Sequence, residues 1–265
     1  MTDVLEPKVR RMSLAVIGVA ARYRLTVIRQ RLAGPVLKSL PDGLRKALAN
    51  LSLELKTQRI VRRSRREFSK WRDHENLKLN LGCGGDLKPG WINVDLALDS
   101  PPMADSAAAP TFINYDLRRE ILLDENSCEL IYSSHFFEHL EYADSLRLLR
   151  QCYRLLRPGG IFRISLPDFK GACAAYLKDD YSYFDLVDSD VFLSEVEPET
   201  LTLIDYVNFA VYQSGEHKRV YDEEKVVRVL KKIGFTSVSV SSYEIEIDPP
   251  SPLRVNYSFY VQATK

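Results

Sequence analysis

From Leu77 onward, short apolar runs alternate with amphipathic stretches. The runs Leu77–Leu81, Ile92–Leu96, Thr111–Tyr115, Leu130–Ser133, Ile161–Leu166, Ser237–Ser241 and Asn256–Gln262 have strand character. Tyr142–Leu156 has helical spacing, with Leu146, Leu149, Cys152, Tyr153 and Leu156 on one face; Asp222–Ile233 places Val226, Val229 and Leu230 inward. This alternation predicts an α/β domain with a mostly parallel sheet. The last two strands have no long helix between them, so one is expected to run antiparallel at that end. Gly85–Trp91 is too short for a full crossover helix, which predicts a vestigial first helix. Ala97–Pro110 reads as a loop. Residues 169–215 interrupt the pattern and carry Tyr176, Tyr181, Tyr183, Tyr206 and Tyr212, with Tyr221 just beyond. An insertion after a strand's carboxyl end commonly forms a lid or substrate wall; equally, the rings can pack the insertion onto the body.

Upstream the texture differs. Leu14, Ile17, Ala21, Leu25, Ile28 and Leu32 form a helical stripe, with Arg22, Arg24, Arg29 and Arg31 off it. Met12–Ala21, preceded by Lys8, Arg10 and Arg11, resembles a weak secretory signal. The stripe runs straight through the supposed cleavage point, and the run is far shorter than the roughly 20 residues of a membrane span. An amphipathic helix is therefore expected. Gly34-Pro35 ends it, and Asp42 is expected to cap a second helix striped by Leu44, Leu48, Leu51 and Leu55, with the basic run Arg62–Arg66 following.

Charge sharpens this division. Residues 1–75 hold 18 Lys/Arg against 7 Asp/Glu, and the remainder 19 against 29, although the 265-residue chain nets only +1. Two parts are expected: a basic helical extension, 1–75, and a body, 76–265, with the lid-like insertion at about 169–215. The extension is expected to pack on the body with a solvated basic face, or to lie on an anionic membrane surface; nucleic acid is not expected as its partner. The four cysteines form no C-x-x-C pair, which argues against a disulfide framework or thiolate zinc site and fits a reducing, cytoplasmic setting.

Candidate chemistry begins at the first strand's end. Gly82-Cys83-Gly84-Gly85 follows it directly, where open parallel sheets bind ligands. Asp95 ends the second strand, with Leu96 next, and its carboxylate can accept from both ribose hydroxyls. A dinucleotide loop wants G-x-G-x-x-G, but the sixth position is Leu87. Asp116 ends the third strand; it can accept from an adenine amine while the Leu117 N–H reaches a ring nitrogen, or it can cap a helix. Ser133, Ser134 and His135 stand at the rim of the fourth. His135 and Asp168, just beyond strand ends, are the candidate bases, and His217 and Tyr221 are candidates to close over an acceptor. His135, Glu138 and His139 also spell H-x-x-E-H, an inverted zinc-protease order. No third ligand suggests itself, so no metal site is expected, and Glu138 and His139 are expected to orient the following helix.

The ordered set LNLGCGG, INVDL, YDL, ELIYSSHFFEHL, RLLRPGGIFRISLPD and GEHKRVYDEEKVVRVLKKIGF resembles the class I S-adenosylmethionine-dependent methyltransferases, in particular the type-11 methyltransferase-domain group. The resemblance spans roughly Leu77–Phe235. It implies a Rossmann-like, mostly parallel seven-stranded sheet with an antiparallel strand at one edge. It places Gly82, Cys83 and Gly84 against the methionine part of S-adenosylmethionine, Asp95 at the ribose, Asp116 at the adenine and Ser133–His135 near the sulfonium. Arg157–Gly160 resembles the family's turn before the fifth strand, read as a helix stop with glycine caps. Asn80 stands where the family usually has an acid; it can bond the loop but cannot pair with a cationic amine. The expected activity is methyl transfer to a hydroxyl of a sugar or glycan. The alternatives are a small-molecule O- or N-methyltransferase and a non-catalytic cofactor-binding adaptor.

Overall fold

The computed structural model describes residues 40–98, 110–187, 193–194 and 196–265; the stripe Leu14–Leu32 lies outside them. Seven strands form one sheet: β1 (Leu77–Leu81), β2 (Ile92–Asp95), β3 (Thr111–Asn114), β4 (Cys128–Ser134), β5 (Leu156–Pro167), β6 (Thr236–Ser241) and β7 (Ser258–Thr264). Their order is β3-β2-β1-β4-β5-β7-β6. The first five are parallel; β7 runs antiparallel to both β5 and β6 at the far end. Leu77, Leu79 and Leu81 of β1 are buried, and so is Asn80 between them, which is the burial on both faces that a central parallel strand has. The edge strand β6 is mostly exposed.

The chain enters at β1, winds outward to β2 and β3, then returns across β1 to β4 and β5. That reversal places a crevice above the carboxyl ends of β1 and β4. Register lines those ends up: Leu81 lies opposite both Val94 and Ser133, Asp95 opposite Asn114, and Ser134 opposite Ser165.

No helix joins β1 to β2: the vestigial first helix expected of this short connection is absent altogether. A side-chain clamp holds the turn instead. Asn80 Nδ2 donates to the Asp86 carbonyl at 2.7 Å and to Asn93 Oδ1 at 3.0 Å. Asn93 also accepts from Lys88 N–H and donates to the carbonyls of Lys88 and Thr111.

Helix α1 (Asp42–Ser69) precedes the sheet. Two expectations fail here. Asp42 makes no cap; it is the first helical residue, after Pro41, and pairs with Arg45 one turn on. Leu44, Leu48, Leu51 and Leu55 are exposed, and the buried stripe is Thr57, Val61, Ser64 and Phe68. At 3.6 residues per turn, Leu55 and Thr57 point about 200° apart, so the packed face is opposite the leucine face. Arg62–Arg66 lies within α1 rather than after it. The packed half is fastened firmly: Phe68 sits edge-on to Tyr115 with centroids 5.0 Å apart, and Ser64 donates to the Asn114 carbonyl.

Helix α2 (Tyr142–Leu155) buries Ser145, Leu148, Leu149, Gln151, Cys152 and Leu155. That face is rotated from the expected one, because Leu148 and Leu155 take central positions and Leu156 already belongs to β5. Arg157–Gly160 supplies no glycine cap. It lies inside β5, where Gly159 adopts φ +76° and donates to the Lys265 carbonyl at 3.0 Å. The 169–215 segment holds α3 (Phe169–Leu177) and α4 (Leu203–Tyr212) around a small core of Ala172, Ala175, Phe184 and Leu203. Tyr206 stacks on Phe184 and Tyr183 packs beside Tyr257, while Tyr176, Tyr181 and Tyr212 are exposed. Helix α5 (Glu223–Ile233), capped by Asp222, buries Val226 and Leu230, and a short α6 (Pro252–Asn256) leads into β7.

Arg163 of β5 is fully buried. Its Nε donates to Asp248 Oδ1 at 3.0 Å, a second nitrogen reaches Oδ2, and Ser241, Ser242 and Glu244 take the other donors. This network pins the loop after β6 to the centre of the sheet.

Candidate active site

Gly82 and Gly84 follow β1 with φ of +66° and +53°. This left-handed backbone suits glycine. The Gly84 N–H donates to Asp95 Oδ2 at 2.6 Å, and the Leu96 N–H donates to Oδ1 at 2.7 Å. The carboxylate at the end of β2 thus braces the glycine loop at the end of β1. Cys83 is buried within this loop. A Cβ on Gly82 would overlap the Phe136 ring, so that ring lies directly against the loop.

The remaining predicted cofactor residues stand in the same row. Asp116 follows β3 and is buried, with both oxygens in a two-pronged pairing with Arg118 at 2.9 Å. An adenine amine would share this carboxylate with Arg118. Arg118 and Arg119 also reach Glu54 of α1, at 3.8 and 2.6 Å, tying that helix to the rim. Leu117 is buried beside Asp116. Ser133 is fully buried and donates to the Leu81 carbonyl at 2.9 Å, so its hydroxyl joins β4 to β1 and points away from the rim role expected for it. Ser134 accepts from Ser165 at 2.8 Å. Asn80 lies behind the loop, with both amide hydrogens on protein acceptors.

On the acceptor side, His135 leaves β4 with φ +46°. Its Nε2 lies 2.7 Å from Ser258 Oγ and its Nδ1 3.7 Å from Glu138 Oε1. Burial holds this imidazole well below its ordinary pKa, so it is neutral at physiological pH. Asp168, a candidate base by sequence, serves as the N-cap of α3, where its carboxylate accepts from the Gly171 N–H at 2.9 Å. Tyr221 donates to Ser145 Oγ at 3.3 Å and packs against the core. His217 Nδ1 lies 3.0 Å from the Ala210 carbonyl. Its ring meets that of His139 with centroids 4.9 Å apart. Both residues therefore brace the end of the insertion against the body. Glu138, beneath them, is buried with neither carboxylate oxygen hydrogen-bonded, and burial pushes its pKa up to about 8.

Residues 79–164 match the family described as a methyltransferase domain, of the type-11 group. That segment carries a methyltransferase domain. No curated protein matches it. Among solved structures, it is similar to an S-adenosylmethionine-dependent methyltransferase from Archaeoglobus fulgidus, at 18% identity over 80% of this chain and 94% of that one, with a TM-score of 0.46. It is also similar to a methyltransferase of the same kind from Mesorhizobium loti, at 18% identity, 72% and 92% coverage and a TM-score of 0.42. A third is phosphoethanolamine N-methyltransferase 2 from Haemonchus contortus, at 16% identity, 72% and 49% coverage and a TM-score of 0.43.

The donor set of this methyltransferase domain suits S-adenosylmethionine. A carboxylate has about four lone-pair sites, so Asp95 can accept ribose hydroxyls as well as backbone N–H groups. S-adenosylmethionine supplies the activated methyl group; the residues here supply orientation. Three positions escaped sequence reasoning. Asn93 and Phe136 shape the loop, and Ser258 holds His135. A polar residue inside the buried strand INVD was the available signal for Asn93. Nothing local marks the other two.

Proposed function

We propose that the enzyme methylates a hydroxyl of a sugar or glycan, working in the cytoplasm at a membrane surface. The observation that carries the acceptor class is His135, a neutral imidazole at the end of β4, two residues beyond Ser133 and beside the Phe136 ring that touches the cofactor loop. An oxygen nucleophile gains from a neutral base, which takes its proton as the methyl carbon is attacked. Ser258 Oγ, within hydrogen-bonding distance of Nε2, can relay that proton. The exposed rings of Tyr176, Tyr181 and Tyr212 offer amphipathic faces of the kind that pack on sugar rings. For the membrane, support comes from α1, where exposed Leu44, Leu48, Leu51 and Leu55 accompany exposed Lys46, Lys56 and Arg59. Among the described residues, no helix is long and apolar enough to cross a membrane.

The test is transfer of labelled methyl groups to panels of nucleotide sugars, glycolipids and small amines, with product analysis of the methylated atom. Hydroxyl methylation of a sugar is expected. His135→Ala should lower kcat by about 10²–10⁴-fold with little change in KM. Methylation confined to nitrogen would overturn the acceptor class.

A further inference from the structure

The sequence offers His135, Glu138 and His139 but no further partner for a metal. The fold brings one. His217, from the end of the insertion, places its ring against His139, and the Glu138 carbonyl accepts from Lys218 N–H at 2.7 Å and Arg219 N–H at 3.2 Å. This backbone clamp fixes the 217–219 strap over the turn Phe137–His139. One donor atom each from Glu138, His139 and His217 then lies within 4.8 Å of the others.

Three features set this cluster apart from a chance meeting of polar groups. Glu138 is 1% exposed, and neither of its oxygens accepts a hydrogen bond. A buried carboxyl group without partners holds its proton, and it ionises only when a cation or donor meets it. Both histidines also turn one ring nitrogen toward a backbone carbonyl: His139 Nδ1 lies 3.3 Å from that of Glu216, and His217 Nδ1 lies 3.0 Å from that of Ala210. An N–H at Nδ1 leaves Nε2 as the lone-pair nitrogen, the arrangement that metal-binding histidines adopt. Finally, His139 Nε2 points to Glu138 Oε1 at 3.9 Å.

We propose that Glu138, His139 and His217 bind a divalent transition-metal ion, with zinc the best suited. Two imidazole nitrogens and one carboxylate oxygen match zinc sites that keep an open position, whereas magnesium and calcium favour all-oxygen sets. Zinc bonds of roughly 2.0–2.1 Å place tetrahedral ligand atoms about 3.3 Å apart. The three donors therefore close by up to about 1.5 Å around the ion. The Arg254 guanidinium acts electrostatically on His135, Glu138 and His217; it is the nearby positive charge that zinc has to tolerate. The open position can hold the acceptor oxygen and favour its ionised form. That role rests on the hydroxyl-acceptor reading; the binding of the ion does not.

The experiment is a zinc titration of the chelator-stripped full-length protein against a chromophoric chelator, without cofactor or acceptor. One tight equivalent is expected. Glu138→Gln, His139→Ala and His217→Ala should each lower zinc affinity by more than about 100-fold, beyond the 10–100-fold of a merely supporting residue. Cys173→Ser should leave it unchanged, because Cys173 is the more accessible of the four thiols. No tight equivalent, a loss on Cys173→Ser, or wild-type affinity in His217→Ala would overturn the site. Should a variant misfold, cobalt in the wild-type protein decides instead: a spectrum without thiolate charge transfer is expected, and one with it overturns the site. Zinc is measured without acceptor, so failure here leaves the hydroxyl-acceptor result standing, and the converse also holds.

Discussion

Gly82 has two separate reasons to lack a side chain. Its φ of +66° strains any other residue, and the Phe136 ring fills the place of a Cβ. Gly82→Ala should destabilise the fold by about 1–3 kcal/mol, the range for backbone strain or overpacking. It should also weaken cofactor binding, measured by calorimetry. Adding Phe136→Ala should restore the steric part of the loss and leave the backbone part. An unchanged urea midpoint in the single variant would show that ring and loop do not touch. The conformation was legible from the sequence, because a glycine straight after a strand signals a tight turn. The ring was not, because it arrives from another strand's end. Asp168 shows the reverse: its position beyond β5 suggested a base, while the accessible Gly171 N–H made it a cap.

At the scale of elements, α1 does two things with opposite faces. Its second half contributes Val61 and Phe68 to the main core, and its first half leaves four leucines outside. Truncation should separate the two. Deleting residues 1–56 should preserve the urea midpoint of the body but reduce sedimentation with phosphatidylserine-containing vesicles. Extending the deletion to residue 69 removes Phe68, and losing a buried phenylalanine alone costs about 3–5 kcal/mol. A longer deletion as stable as the shorter one would mean that α1 is no part of the core. Helical periodicity in this segment was readable, but its inward face was not. The leucines form the more apolar stripe, yet the opposite side packs inward, where Ser64 donates to the Asn114 carbonyl at the end of β3.

Across the whole molecule, the buried pair Arg163–Asp248 links the centre of the sheet to the loop after β6. Removing one partner strands the other charge, so Arg163→Met should cost about 3–5 kcal/mol in chemical denaturation. The double variant Arg163→Met/Asp248→Leu should recover much of that loss; equal instability of single and double variants would mean that packing, not charge, carries the effect. The sequence by itself determined the strands, the glycine loop, the acids at the ends of β2 and β3 and the abbreviated first crossover. These are short-range properties, set by periodicity, turn chemistry and chain length. Only the tertiary structure decided which helix face is inside, what neutralises Arg163, and that His217 meets Glu138 and His139. Those outcomes depend on which distant groups share a desolvated space, and burial changes the energy of a polar group only once its neighbours are in place.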